Sequence, residues 1–199
     1  MRLISSITAA LLAATPALAD GTIIVSPIYS QLVALPTPAN FVAGNEQEKD
    51  GSYILELAPK GDTMQVWHQL ITLTGAKGNA ATTAVADVAG QIGDSYKAAC
   101  PDTFATRILP PPKVRGSGKV FAGYLGCGTF DGHSEAMVFL VLQGKSEIYT
   151  VQWAERGPAQ AKPPEPDPAI WQFRAETLAQ TRICDKVSGE TAPYPSCTE

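Results

Sequence analysis

The residues best equipped for chemistry in this 199-residue chain are its two histidines, His68 and His133, and the carboxylates near them. Asp131, His133 and Glu135 form a D-x-H-x-E pattern. Alternation along a strand would set all three side chains on one face, where they could hold a divalent cation. The same residues also suit an ordinary Asp131-Gly132 turn, because turns collect polar side chains. A structural zinc site wants four His or Cys ligands, which this chain lacks once its cysteines are paired. His68 falls next to Trp67 in a predicted strand and reads as a sheet histidine. Glu56 and Glu155 could act as paired carboxylates only if a sheet brought them together. The sequence has no G-x-S-x-G elbow, and Gly116-Ser117-Gly118 reads as a loop. The run Gly123 to Gly128 looks superficially like a phosphate loop but sits inside a strand pattern. Trp67, Trp153 and Trp171 all fall on predicted core faces, where they would pack rather than present a ligand platform. These residues imply no catalytic group and no resident cofactor.

The first nineteen residues bear on where such groups would work. Met1 to Ala19 reads as a secretory signal peptide: Arg2, an apolar stretch from Leu3 to Leu12, and an Ala17-Leu18-Ala19 cleavage site. Cleavage is expected before Asp20, giving a periplasmic or secreted protein. No stretch reads as a membrane span. Export places Cys100, Cys127, Cys184 and Cys197 in an oxidising compartment, where four cysteines imply two disulfides. The first pairing is Cys100–Cys127 with Cys184–Cys197, the second link closing a short tail loop. Cys127–Cys184 with Cys100–Cys197 remains open as the alternative. The formal charge of −4, without a basic stripe, argues against nucleic acid and against an anionic membrane surface.

Positioning falls to an order of strands, helix, four strands and helix. Short β-branched runs cover Thr22–Val25 and Gln31–Leu35, and Asn45–Gly51 reads as a charged turn ending in the hairpin signal Asp50-Gly51. Tyr53–Ala58 alternates, and Gln65–Thr74 reads as a long strand. The period then changes to 3.6. Val85, Val88, Ala89, Ile92, Tyr96 and Ala99 form one stripe, predicting a helix from Thr82 to Cys100 capped by Thr82 or Thr83. Strands are predicted over Thr103–Leu109, Lys119–Phe130, Glu135–Gln143 and Ser146–Trp153. Gly123, Gly126 and Gly128 suggest a bulge or the close approach of another backbone. Ala136–Leu142 is unbroken apolar sequence, as in a strand covered on both faces. Gly157–Pro168 holds five prolines and reads as an exposed loop. A second helix follows, with Asp167 as its cap and Pro168 at its first position, ending near Cys184. The expected fold class is α+β: one antiparallel sheet of six to seven strands, two main helices and two disulfides. Residues 20–184 would form one domain and 185–199 a disulfide-tied tail.

This layout resembles the PsbP-like fold between about Gln31 and Cys184. The likeness rests on the strand-strand-helix opening, the glycine-containing strand Lys119–Phe130, the "DG" turn, the segment GKSEIYTVQWA and the closing helix at Trp171. The segment LAPKGDTMQVWHQLITLTGAKG is also similar to a stretch in small exported bacterial proteins. The resemblance implies a domain that binds or scaffolds. The leading expectation is a periplasmic, non-catalytic binding or assembly module acting through surface contacts with an envelope protein. Next comes a carrier of a small ligand or divalent metal, and last an enzyme with an unrecognised site. The Pro-rich segment Gly157–Pro168 reads first as a linker between the last strand and the closing helix, and second as the surface presented to a partner.

Overall fold

The structure, a computed structural model, describes residues 21–165 and 167–198. The predicted signal peptide, Met1 to Ala19, lies outside the described residues. The element order is β1 (Thr22–Ile28), β2 (Gln31–Thr37), β3 (Phe41–Lys49), β4 (Ser52–Pro59), β5 (Gln69–Ala76), α1 (Val85–Ala99), β6 (Phe104–Leu109), β7 (Val120–Phe130), β8 (His133–Gln143), β9 (Ile148–Pro158), α2 (Pro168–Ala179), β10 (Arg182–Asp185) and α3 (Pro195–Thr198). The class is α+β, as expected, but the strands form two sheets. Seven make an antiparallel sheet in the order β3-β4-β5-β9-β8-β7-β6, and three make a second sheet, β1-β2-β10.

The large sheet is covered on both sides. Alternation in β4 buries Tyr53, Leu55 and Leu57 on the side that also carries Ile71, Leu73, Val151 and Trp153. That side packs against α2 and, through Ile28, Val33 and Leu35, against the small sheet. Leu57, Ile71 and Leu73 are fully buried, each contributing about 1.5–3 kcal/mol of transfer free energy. The opposite side holds Leu125, Met137, Phe139 and Val141 beneath α1. The unbroken apolar run of β8 follows from this: alternate residues serve two separate cores, as its sequence predicts. The far side of the small sheet, Leu32 and Ala34, is covered by the C-terminal segment around Cys197.

Two hairpins are pinned by the signals read from sequence. Asp50-Gly51 and Asp131-Gly132 each place two successive residues at positive φ, which a two-residue type I′ turn requires. Asp167 caps α2, its Oδ1 accepting from the Ala169 and Ile170 amides at 2.9 and 3.5 Å, with Pro168 opening the helix. The α1 stripe is as predicted: Val85 and Ala89 are buried, and Val88, Ile92 and Tyr96 pack on the same core. The N-cap, however, is Ala84 without a side-chain hydrogen bond. Thr82 and Thr83 instead donate their amides to the Asn79 carbonyl in the preceding turn.

Four expectations need correction. Asn45–Lys49 is strand, not turn: β3 is an edge strand whose residues after Phe41 are almost all exposed, so it carries no apolar alternation. The long strand begins at Gln69 rather than Gln65, because Thr63, Val66 and His68 close a turn on Asp62 and on one another. Trp67 consequently lies in that turn rather than in the predicted strand, and it packs beneath α1 with Ala58 and Leu70. Finally, α2 stops at Ala179 and Cys184 lies in β10, a four-residue strand paired with β2.

Candidate functional site

The disulfides are Cys100–Cys127 and Cys184–Cys197, the first of the two pairings. The first bond fastens the end of α1 to β7, and the second fastens the tail to β10. The Cys127–Cys184 alternative is excluded by this geometry.

The D-x-H-x-E residues behave differently from a metal site. Glu135 is 6% exposed in β8. One of its carboxylate oxygens accepts from the Tyr96 hydroxyl of α1. The other accepts from Arg156 Nε of β9 at 3.1 Å and faces His133 Nε2 at 3.4 Å. The other ring nitrogen of His133 lies 3.3 Å from the backbone carbonyl of Asp131. Asp131 itself sits in the turn at φ 48° and offers that carbonyl, not its carboxylate. The expected Asp131, His133, Glu135 ligand set is therefore corrected. His133 and Glu135 meet, Asp131 does not join them, and both Glu135 oxygens are already engaged. Among the described residues no three His, Cys, Asp or Glu side chains are grouped to hold a metal ion. Burial raises the Tyr96 hydroxyl well above the ordinary tyrosine range, with Glu135 adding to the effect, so it stays a neutral donor. The Arg156 guanidinium also lies 3.7 Å from the centre of the Trp67 ring, a cation–π contact. The cluster thus ties α1, β8, β9 and the β4–β5 loop together.

His68 is not a sheet histidine. Its side chain is 80% exposed, with Nδ1 3.2 Å from an Asp62 oxygen. The Asp62 carboxyl is held below its ordinary range, chiefly because it accepts the His68 backbone amide. Glu56 and Glu155 do not pair. Register puts Glu56 opposite Thr72 and Glu155 opposite Gln69, on opposite sides of the sheet. Glu56 accepts from Asn45 Nδ2 at 2.7 Å, and Glu155 from Arg174 Nη2 at 2.7 Å. All three tryptophans are buried, as expected.

Of the β7 glycines, Gly128 and less tightly Gly126 serve the close approach of another backbone, Gly123 makes room for the Phe139 ring, and the register shifts between Cys127 and Phe130 as a bulge would require. A Cβ on Gly128 would lie 2.3 and 2.4 Å from the carbonyl oxygens of Lys162 and Gln160, so the Pro-rich segment crosses directly over this strand. The Gln160 amide donates to the Gly128 carbonyl at 2.8 Å, and the Tyr124 hydroxyl to the Pro164 carbonyl at 2.7 Å. The segment is a strap held to β7, not a free loop, and its first residues, Gly157 and Pro158, belong to β9.

Just beyond the strap, sequence reasoning missed a cleft of about 550 Å³ between α2 and strands β6 to β8. Its floor is Ala122, Tyr124, Val138 and Leu140. Trp171, Ala175 and Ala179 form the α2 wall, and Leu109, Pro110 and Pro112 the opposite one. Small residues leave room there: Ala175 and Ala179, one helical turn apart on α2, and Ala122 on β7 all line the space. The middle of α2 is pinned nearby. Arg174, 4% exposed, lies 4.4 Å from the Trp171 ring centre and 5.4 Å from that of Trp153 while it pairs with Glu155. Tyr124 meets Trp171 edge-to-face at 5.4 Å. Burial first, then Glu155, pushes its hydroxyl up to about 12, keeping it a donor to the strap. The charged and amide side chains of its lining, Arg107, Gln172 and Glu176, are exposed at the rim, and the Tyr124 hydroxyl on the floor is taken up by the Pro164 carbonyl. The one signal for this site in the sequence is the alanine pair Ala175 and Ala179 of α2, which reads equally well as close helix-on-sheet packing. No protein-family model matches the chain, and no curated protein matches it.

Proposed function

We propose that this protein is an exported, non-catalytic binding module that carries a small apolar molecule in the cleft beneath α2. The observation that supports this reading is the cleft itself. Its volume of about 550 Å³ falls within the size range of small-molecule sites, and its lining is mostly apolar, with the charged side chains Arg107 and Glu176 exposed at the rim. The two disulfides are compatible with an oxidising, exported location. Among the described residues no helix is long and apolar enough to cross a membrane. The resemblance to PsbP-like domains, which mostly bind or scaffold, supports the same class of role. A contact role for the Pro-rich segment is weakened by its bonds to Gly128 and Tyr124, which commit it to holding β7.

Titration with the neutral dye N-phenyl-1-naphthylamine tests the reading, since its fluorescence rises in apolar surroundings. Wild type should bind it saturably at one site. Ala179→Phe, which projects a ring into the cleft from the end of α2, should weaken binding about tenfold or more with a near-unchanged melting temperature. Equal binding by the two proteins would place the dye elsewhere and overturn the cleft as the site.

A further inference from the structure

The two walls of the cleft differ in charge, and the difference selects among apolar ligands. The chain as a whole is acidic, yet from Thr103 to Phe130 it carries Arg107, Lys113, Arg115 and Lys119 and no Asp or Glu. This stretch is β6, the Pro-rich turn after it, and β7, and it supplies Ala122 and Tyr124 of the cleft floor and the wall facing α2. Arg107 is the positive charge at the mouth. It sits directly opposite Tyr124 in the β6–β7 register, and its positive field reaches the Tyr124 hydroxyl. It has no ion-pair partner among the described residues. The acid on the opposite lip, Glu176, is already engaged by Gln172 Nε2 at 2.8 Å. Beyond Pro112 the same wall continues into a shallow groove that includes Lys113 and Arg115. An apolar cleft with an unpaired guanidinium at one lip is complementary to a molecule with an apolar tail and an anionic head. A planar carboxylate is the head that guanidinium matches with two parallel hydrogen bonds.

We propose that the cleft takes a single-chain monocarboxylate amphiphile, its tail against Tyr124, Val138, Leu140 and Trp171 and its carboxylate at Arg107. This rests on the cleft being the binding site, and adds to it the class of the ligand and the residue that reads its head group. Arg107 is exposed and its side chain makes no hydrogen bond or ion pair among the described residues, so replacing it leaves the fold intact.

The test compares decanoate with 1-decanol, matched in tail length, by displacement of the dye from the full exported chain with both disulfides formed. Decanoate should bind wild type about fivefold more tightly than decanol at low salt, and added salt should shrink the gap. In Arg107→Gln the gap should close through weaker decanoate binding, with decanol unaffected. Equal affinities in wild type, or a preference that survives in Arg107→Gln, would overturn the head-group assignment while leaving the cleft in place. Failure of both compounds to displace the dye would overturn the cleft as the carrier site as well.

Discussion

Glu135 and its partners occupy one side of the molecule and the α2 cleft another, and the two have opposite relations to chemistry. The first gathers a carboxylate, a tyrosine, an arginine, a histidine and a tryptophan, the inventory of many active sites. Yet both oxygens of its carboxylate are engaged, one by Tyr96 of α1 and the other by Arg156 of β9 with His133 alongside. It has nothing left to offer a ligand, and what it does is fasten α1 to the sheet. The second is lined largely by alanine, leucine, proline and aromatic side chains and has open space. Reactive residue types therefore mark a functional site only where their bonding capacity is left over. A cavity, by contrast, is made by what is small or missing.

The comparison breaks first at Glu135. Glu135→Ala strips Tyr96, Arg156 and His133 of a shared partner inside the protein. It should cost about 3 kcal/mol or more, read as a lower midpoint in urea unfolding, while dye binding in the cleft stays as in wild type. A loss under about 1 kcal/mol would mean that the cluster is not a structural tie. Coupled loss of dye binding in a folded variant would mean that the two regions are not separate.

Alkaline pH gives a smaller effect. Burial is the first cause raising Tyr53, Tyr96, Tyr124 and Tyr149 above the ordinary tyrosine value. A group whose folded pKa is raised contributes stability that is complete below its unfolded value, about 10, and is lost as pH rises through the folded value. Stability should therefore hold to about pH 10 and fall above it. Absorbance at 295 nm should show most of the six tyrosines ionising only as the protein unfolds. A smooth titration of all six near pH 10 in folded protein would contradict the burial described for them.

The smallest effect belongs to the histidines. His68 is largely exposed, and the His133 contacts, at 3.3 and 3.4 Å, are long. His68→Ala and His133→Ala should each shift stability by less than about 1 kcal/mol, and neither should alter zinc uptake measured by calorimetry. A stoichiometric zinc site lost in His133→Ala would restore the metal reading of Asp131, His133 and Glu135.

What sequence could and could not reveal divides along the same line. Signals that are local were legible: Asp50-Gly51 and Asp131-Gly132, Asp167 followed by Pro168, the α1 stripe, and the two-faced burial of β8. The glycines of β7 also announced a crossing backbone without saying whose. The small sheet was not legible, because β10 is only four residues long and earns its strand geometry from β2 far away in the chain. β3 escaped because an exposed edge strand has no buried face to leave an alternation. The cleft escaped because a void has no residue type of its own, and Ala122, Ala175 and Ala179 look like any tightly packed alanines until the fold sets them around open space.

The pairing of β10 with β2, Arg182 opposite Ala34 and Cys184 opposite Leu32, has a consequence for how the protein is made. A chain that emerges N-terminus first offers β2 one partner, β1, almost at once. Its other edge stays bare until nearly all the rest has been delivered. Leu32, Val33 and Ala34, which are shielded in the finished protein, would then lie along an open strand edge, the kind of surface that recruits foreign strands. Translation that stops short of Arg182, or a protease that trims back past it, produces a molecule with a sticky margin rather than a slightly shorter version of the native one. Completeness of the C-terminal stretch is thus a quality mark that the fold itself can enforce, by aggregation of the chains that lack it.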